Sequence, residues 1–240
     1  MAHTRTSSKT NLAERSSAPA SEAVEDYAKA IYALQHQEGG AVSTSALAER
    51  LDVAPSSVTA MVKRLDELRL VRYEPYHGVT LTPAGERVAL EVIRHHRLIE
   101  AFLADALQMP WDRIHDEAEV LEHYISEDLE RRIAEKLGNP SLDPHGDPIP
   151  TPELALAADR TRALAQLAAG DVATFSRVSD SDPEMLRYLA KRGIRPGARL
   201  QVTDVQPFGG PVFVEVDGRV HALGGELAEK MRVEPAEVSA

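Results

Sequence analysis

The chain has 240 residues, a formal charge of −11 and no cysteine, so disulfides and thiolate metal ligands are excluded and any bound metal is held by oxygen and nitrogen donors. Apolar residues make up 43% and charged residues 27%, the balance of a globular chain long enough for two domains or one large one. No apolar run approaches the roughly 20 residues that span a bilayer and no apolar signal segment opens the chain, so a cytoplasmic protein without a membrane partner is expected; the acidic balance argues against indiscriminate coating of nucleic acid but leaves room for a local DNA-binding face.

Residues 1–20 are Ser, Thr and Ala with scattered charge and read as a disordered tail. From Ser21, a candidate cap, Val24, Tyr27, Ala28, Ile31 and Leu34 recur at helical spacing, with Asp26 outside that apolar set, until Gly39-Gly40 stops the helix. Val42–Leu51 reads as a short capped helix, Asp52-Val-Ala as a tight turn, and Pro55–Leu65 as a second helix with Pro in its first turn. Val58, Met61, Val62 and Leu65 form the buried face of that helix, with Ser56, Ser57, Thr59, Lys63 and Arg64 largely opposite. Leu70–Thr82 reads as two short strands around Pro75–Gly78.

Helix, turn, helix and hairpin make a winged helix over 21–88. Such a unit sets its second helix in the major groove and its wing on the backbone. The candidate DNA contacts are Thr44, Ser45, Ser56, Ser57, Thr59, Lys63, Arg64 and, on the wing, His77. Winged helices also serve as protein-interaction modules. Residues 41–90 carry six basic and six acidic side chains, so binding to DNA has to come from placement rather than bulk charge.

From Glu86 the pattern is helical through His95-His96-Arg97-Leu98-Ile99-Glu100 and on to Leu107, and Met109-Pro110-Trp111 breaks it. A further helix is expected to run to about Leu129. On it His115, Glu119, Glu122 and His123 fall on one stripe, beside an apolar face of Ile114, Ala118, Leu121, Ile125 and Leu129. His96 and Glu100 form a second donor pair one turn apart. Imidazoles and carboxylates facing each other across packed helices can hold a divalent cation. Glu and His at this spacing also decorate ordinary solvated helices, and both readings stand on this stretch alone. A metalloenzyme built on His96, Glu100 and His115 is another class to weigh, although no nucleophile or pocket for a small-molecule substrate is apparent. Leu98, Phe102 and Trp111 read as core or dimer-interface residues.

Residues 139–169 read as a linker: five prolines in 139–152 forbid regular structure, His145 is expected to be solvated, and Glu153–Ala169 to be mobile or loosely helical. From Gly170 the period becomes two. Strands over Val172–Val178, Arg199–Val205, Pro211–Val216 and Arg219–Leu223, with a helix over Pro183–Arg192, indicate a small SH3-like β-barrel spanning 170–236. His221 has no assigned role. The fold class is mainly α with small β.

The order winged helix, helical domain with His96-Arg-Leu-Ile-Glu100 and His115-Asp-Glu-Ala through Glu122-His123, Gly-Asp-Pro-Ile-Pro linker and barrel resembles the diphtheria toxin repressor family of metal-dependent transcription factors. Val53-Ala-Pro-Ser-Ser-Val-Thr59 and Tyr73-Glu-Pro-Tyr-His-Gly78 are most similar to its manganese-transport repressors. The resemblance implies a helical metal-binding and dimerisation domain over 89–138 and a homodimer on a palindromic double-stranded operator, repressing metal-uptake genes. It also implies a primary site of Asp26, Glu119, Glu122 and His123, and an ancillary site of His96, Glu100 and His115. Iron-sensing members carry Met and Cys where this chain has Asp26 and Glu119, and hard oxygen donors suit Mn(II). Mn(II) is therefore the expected effector, with Fe(II) the alternative and Zn(II), Co(II) or Cd(II) as surrogates. Lys29 stands where manganese repressors place a carboxylate, so their two-metal arrangement is not carried over. Where iron-type members lend two barrel ligands, this chain has Arg177, which cannot ligate, and Asp180, a candidate ligand.

Overall fold

The computed structural model describes residues 20–179 and 182–236. The expected tail, apart from its last residue, lies outside the described residues, and so do Asp180 and the side chain of Ser21. The chain forms two compact units that divide between Ile93 and Arg94, inside helix α4 (Pro83–Asp105).

The first unit contains α1 (Ala20–Glu38), α2 (Thr44–Leu51), α3 (Pro55–Glu67), strands β1 (Val71–Glu74) and β2 (Gly78–Leu81), and the start of α4. Local chemistry sets the elements. Ser43 caps α2 by accepting from the Ala46 N–H at 3.0 Å. Asp52, at φ 50°, ends α2 in the left-handed region, and Pro55 opens α3. Ile31, Leu47, Val58, Val62, Leu65 and Val79 close the core. β1 and β2 pair antiparallel from Val71↔Leu81 to Glu74↔Gly78, and Val42 adds a short bridge to Val79. The Thr82 hydroxyl donates to the Arg69 carbonyl at 2.8 Å and accepts from the Gly85 N–H, joining the wing to α4. This is the winged helix that the periodicity predicts.

The second unit holds the rest of α4, α5 (Ile114–Leu121), α6 (Glu127–Lys136), a linker and a six-stranded antiparallel sheet. The helix expected to run to Leu129 is two helices. α5 stops at Leu121, residues 122–124 turn, and Ser126 caps α6 by accepting from the Leu129 N–H at 3.3 Å. That break removes Leu121 and Leu129 from the expected core face; they are 40% and 46% exposed, while Ile114 and Ala118 are buried.

The sheet comprises β3 (Arg162–Ala163), β4 (Val172–Val178), β5 (Arg199–Val205), β6 (Val212–Val216), β7 (Arg219–Leu223) and β8 (Met231–Pro235), in the order β3-β8-β4-β5-β6-β7. Between β4 and β5 lies α7 (Pro183–Ala190), and between β7 and β8 lies α8 (Gly225–Lys230). The sheet begins at Arg162, where the sequence suggested loose helix; β3 pairs with β8 and leads into a 3-10 turn at Leu164–Gln166. Alternation is too short there to register as a strand. Phe175, Leu200, Val202 and Val214 from the strands share one core with Ile99, Leu103, Trp111, Ile114 and Ala118 from α4 and the α5 region. The sheet is thus packed on the donor helices.

The linker is fixed as well. Ile149 is buried with Leu98, Ile133 and Ala134. Arg94 Nη1 donates to the Pro150 carbonyl at 2.6 Å and Arg97 Nη1 to the Pro148 carbonyl at 2.5 Å. From β4, Arg177 reaches Asp147 at 2.8 Å and Asp159 at 2.5 Å.

Candidate metal centre

α4 presents His96 and Glu100 one turn apart, α5 presents His115 and Glu119, and the turn after α5 presents Glu122 and His123. His96 is the centre of the group. Its Nδ1 lies 2.5 Å from Glu122 Oε2 and 3.6 Å from Glu119 Oε1, and its Nε2 lies 3.2 Å from Glu100 Oε1. His123 Nε2 lies 3.6 Å from Glu122 Oε1. The His96 and His115 rings meet edge to face with centroids 5.1 Å apart. Donor atoms of His96, His115 and Glu119 all fall within 4.8 Å of one another. The expected primary and ancillary groups therefore share His96 in this unit.

Glu100 regroups. It is fully buried, and its carboxylate also faces two residues of the linker, Asp143 and His145, with donor atoms of the three again within 4.8 Å. His145 Nδ1 lies 3.6 Å from Glu100 Oε2 and His115 Nδ1 lies 3.7 Å from Glu100 Oε1, yet neither carboxylate oxygen has a well-formed hydrogen bond. Buried polar atoms are ordinarily satisfied. Three buried donors grouped this closely fit an oxygen- and nitrogen-ligated cation.

His145 is 0% exposed, which corrects the expectation that it is solvated. Its Nε2 donates to the Trp111 carbonyl at 2.8 Å and its own carbonyl accepts from the Val178 N–H at 3.1 Å. Asp143 Oδ1 accepts from the N–H groups of His145 at 2.8 Å and Asp147 at 2.9 Å, folding the loop on itself. Gly146 sits at φ +90°, where a Cβ would meet the Ser176 carbonyl oxygen at 1.8 Å. Sequence reading missed Asp143 and His145 because five prolines marked the segment as irregular, and irregular was equated with solvated. The usable signal was an acid and an imidazole two residues apart beside a glycine.

The electrostatics of the buried pair diverge. Burial alone raises Glu100, but the His96 charge and contacts with His115 and His145 outweigh it and hold the carboxyl well below its usual range. Burial, reinforced by the negative charges of Glu100 and Asp147, pushes Asp143 up to about 8 against the pull of Arg97 and His145.

In the first unit Asp26 is half-buried on α1. Ser45, Ser56, Ser57, Lys63, Arg64 and His77 are exposed and Thr44 is half-buried. Thr59 is half-buried, and its hydroxyl donates back to the Pro55 carbonyl at 3.0 Å, within its own helix. Among the described residues no helix is long and apolar enough to cross a membrane.

Comparisons with known proteins match these parts in order. Residues 20–79 match the iron dependent repressor N-terminal DNA binding domain, residues 82–151 its metal binding and dimerisation domain, and residues 162–235 the FeoA domain. The chain is 33% identical to the iron-dependent repressor IdeR of Mycobacterium tuberculosis, over 88% of this chain and 96% of that one. It is 32% identical to the diphtheria toxin repressor of Corynebacterium efficiens, over 88% and 94%. Among solved structures it is similar to a manganese-dependent transcriptional repressor in complex with manganese, at 42% identity and a TM-score of 0.83 over 89% of this chain and all of that one. It is also similar to ScaR with bound Zn2+, at 30% identity and a TM-score of 0.75 over 89% and 99%.

Proposed function

The chain belongs to the iron-dependent repressor family, whose members are metal-dependent transcriptional repressors, and on that premise we propose that the cation it senses is Mn(II). The observation that carries this reading is the donor set around His96: Glu119, Glu122 and Glu100 supply oxygen, imidazoles supply nitrogen, and the chain has no thiolate to offer. Hard donors favour Mn(II) where softer ones favour later ions. In support, a repressor of 42% identity is named as manganese-dependent. Fe(II) is the second reading, favoured by the relatives named as iron-dependent.

Glu119, Glu122 and His123 hold the regulatory cation in this proposal, with His96 beside them, and the family resemblance adds Asp26 as a donor from the first helix. Without a cation the acids repel one another; with one, their charges are neutralised. A donor set drawn from both the DNA-binding helices and the α5–α6 turn ties occupancy to the DNA-reading unit. Glu100, Asp143 and His145 are proposed to hold a second cation. The working form is a homodimer on a palindromic operator, its recognition helices set about 34–36 Å apart, one turn of DNA. Ser56, Ser57, Lys63 and Arg64 face that DNA, with Thr44, Ser45 and His77 flanking. The protein acts in the cytoplasm as a regulator rather than a catalyst.

Operator binding titrated against Mn(II), Fe(II), Zn(II) and Co(II) tests this. Mn(II) should bring binding to saturation and a chelator should abolish it. Binding that ignores the chelator overturns metal dependence, and activation by Fe(II) but not Mn(II) overturns the choice of metal.

A further inference from the structure

Four of the chain's nine histidines lie between residues 91 and 140: His95, His96, His115 and His123. Three of them are in the donor groups; His95 is not. It is buried on α4 and makes two contacts, one with the turn after α5 and one with α6. Nδ1 donates to the main-chain carbonyl of Glu122 at 3.2 Å, and Nε2 lies 3.0 Å from Glu130 Oε2. The other oxygen of Glu130 accepts from Arg94 Nε at 2.6 Å, and the same guanidinium donates through Nη1 to the Pro150 carbonyl. Polar contacts thus run from the linker through α4 and α6 to the end of α5, the His95–Glu130 step being a close approach rather than an aligned hydrogen bond.

Its last link falls at a weak point of the backbone. Glu122 is the C-cap of α5, and the carbonyls of a helix's final turn lack donors within the helix. Glu122 is also buried, so water is a poor substitute. The side chains of Glu122 and His123 both stand on the turn after α5, so any shift of the Glu122 carbonyl moves two donors together.

We propose that His95 is a positioning residue: held by Glu130 and Arg94, it caps the Glu122 carbonyl and thereby sets the geometry of the Glu122–His123 pair for its cation. The inference rests on the metal-dependent reading above. His95 itself ligates nothing. Its contribution lies in how little the donor pair must reorganise when a cation arrives, and therefore in affinity rather than in the ability to bind DNA once loaded.

The test uses the full chain, with Mn2+ binding measured by calorimetry, operator binding by fluorescence anisotropy, and thermal melts of the chelated protein. His95→Ala should weaken Mn2+ binding about 10- to 100-fold, the range seen when outer-shell partners are lost, and should move the Mn2+ concentration for half-maximal operator binding by the same factor. His95→Asn, whose amide can still donate from the Nδ1 position, should recover most of the loss. A purely structural role predicts a lower melting temperature for chelated His95→Ala with unchanged Mn2+ affinity, and that result overturns the proposal. So does a His95→Asn variant no better than His95→Ala. A wild-type chain that binds none of Mn2+, Fe2+ and Zn2+ overturns the metal-dependent reading itself and this inference with it, whereas wild-type binding matched by His95→Ala overturns only the inference.

Discussion

The imidazole of His145 is pinned between the Trp111 main chain and Glu100. Nε2 donates to the Trp111 carbonyl at 2.8 Å, and the two rings stack with centroids 5.7 Å apart. That bond fixes the orientation of the ring and aims Nδ1 at Glu100, 3.6 Å from Oε2. Because Trp111 is the chain's single tryptophan, its fluorescence reports on this corner alone. Cation binding should shift the wild-type emission. His145→Ala should abolish the shift, lower the cation stoichiometry by one per chain, and cost about 1–3 kcal/mol in urea melts by stranding a buried acceptor.

The raised carboxyl of Asp143 has a signed consequence for the chelated protein. Its value is about 8 in the folded chain and about 3.9 unfolded. Between those limits the folded state holds a proton that the unfolded state has released, so stability falls as pH rises, by on the order of 1 kcal/mol per pH unit. Glu100, held low, acts only on the acid side of that window. Urea midpoints of the chelated wild type should decline from about pH 4 toward about pH 8, and Asp143→Asn should flatten the slope.

Asp26→Ala should retain the fold, as judged by circular dichroism, and lose Mn(II)-dependent operator binding. Asp26→Met should narrow the preference for Mn(II) over Fe(II), since a thioether is a softer donor than a carboxylate. An unchanged metal ranking in operator titrations removes Asp26 from the ligand set.

The parts of this protein legible in its sequence are those whose burial follows a period. Val58, Val62 and Leu65 announce the inner face of α3, and Val212, Val214 and Val216 that of β6. His96, Glu100, His115 and Glu119 were legible because they lie on regular helix. Glu122 and His123 are expected on a helix that in fact ends at Leu121, and the buried neighbour of Glu122, His96, falls in the other expected group. Asp143 and His145 follow no period. Their burial comes from arginines one turn apart on α4 and from Arg177 on β4, partners 30 to 56 residues away in the chain, and no local pattern encodes contacts of that range.

Gly146 should tolerate no side chain. Alanine there would place its Cβ against the Ser176 carbonyl and hold a strained φ of +90°. Gly146→Ala should displace the 143–147 loop, lower the melting temperature, and remove the cation-induced change in Trp111 emission while the winged helix stays folded.

The core common to Phe175, Trp111 and Ile99 also decides what can be cut from this protein. Excising everything from Arg162 onward would strip the cover from Ile99, Leu103, Trp111 and Ile114 and leave a greasy, association-prone flank on the very helices that carry the donors. The barrel is no detachable accessory, and a shortened chain should precipitate or self-associate rather than behave as a smaller working repressor.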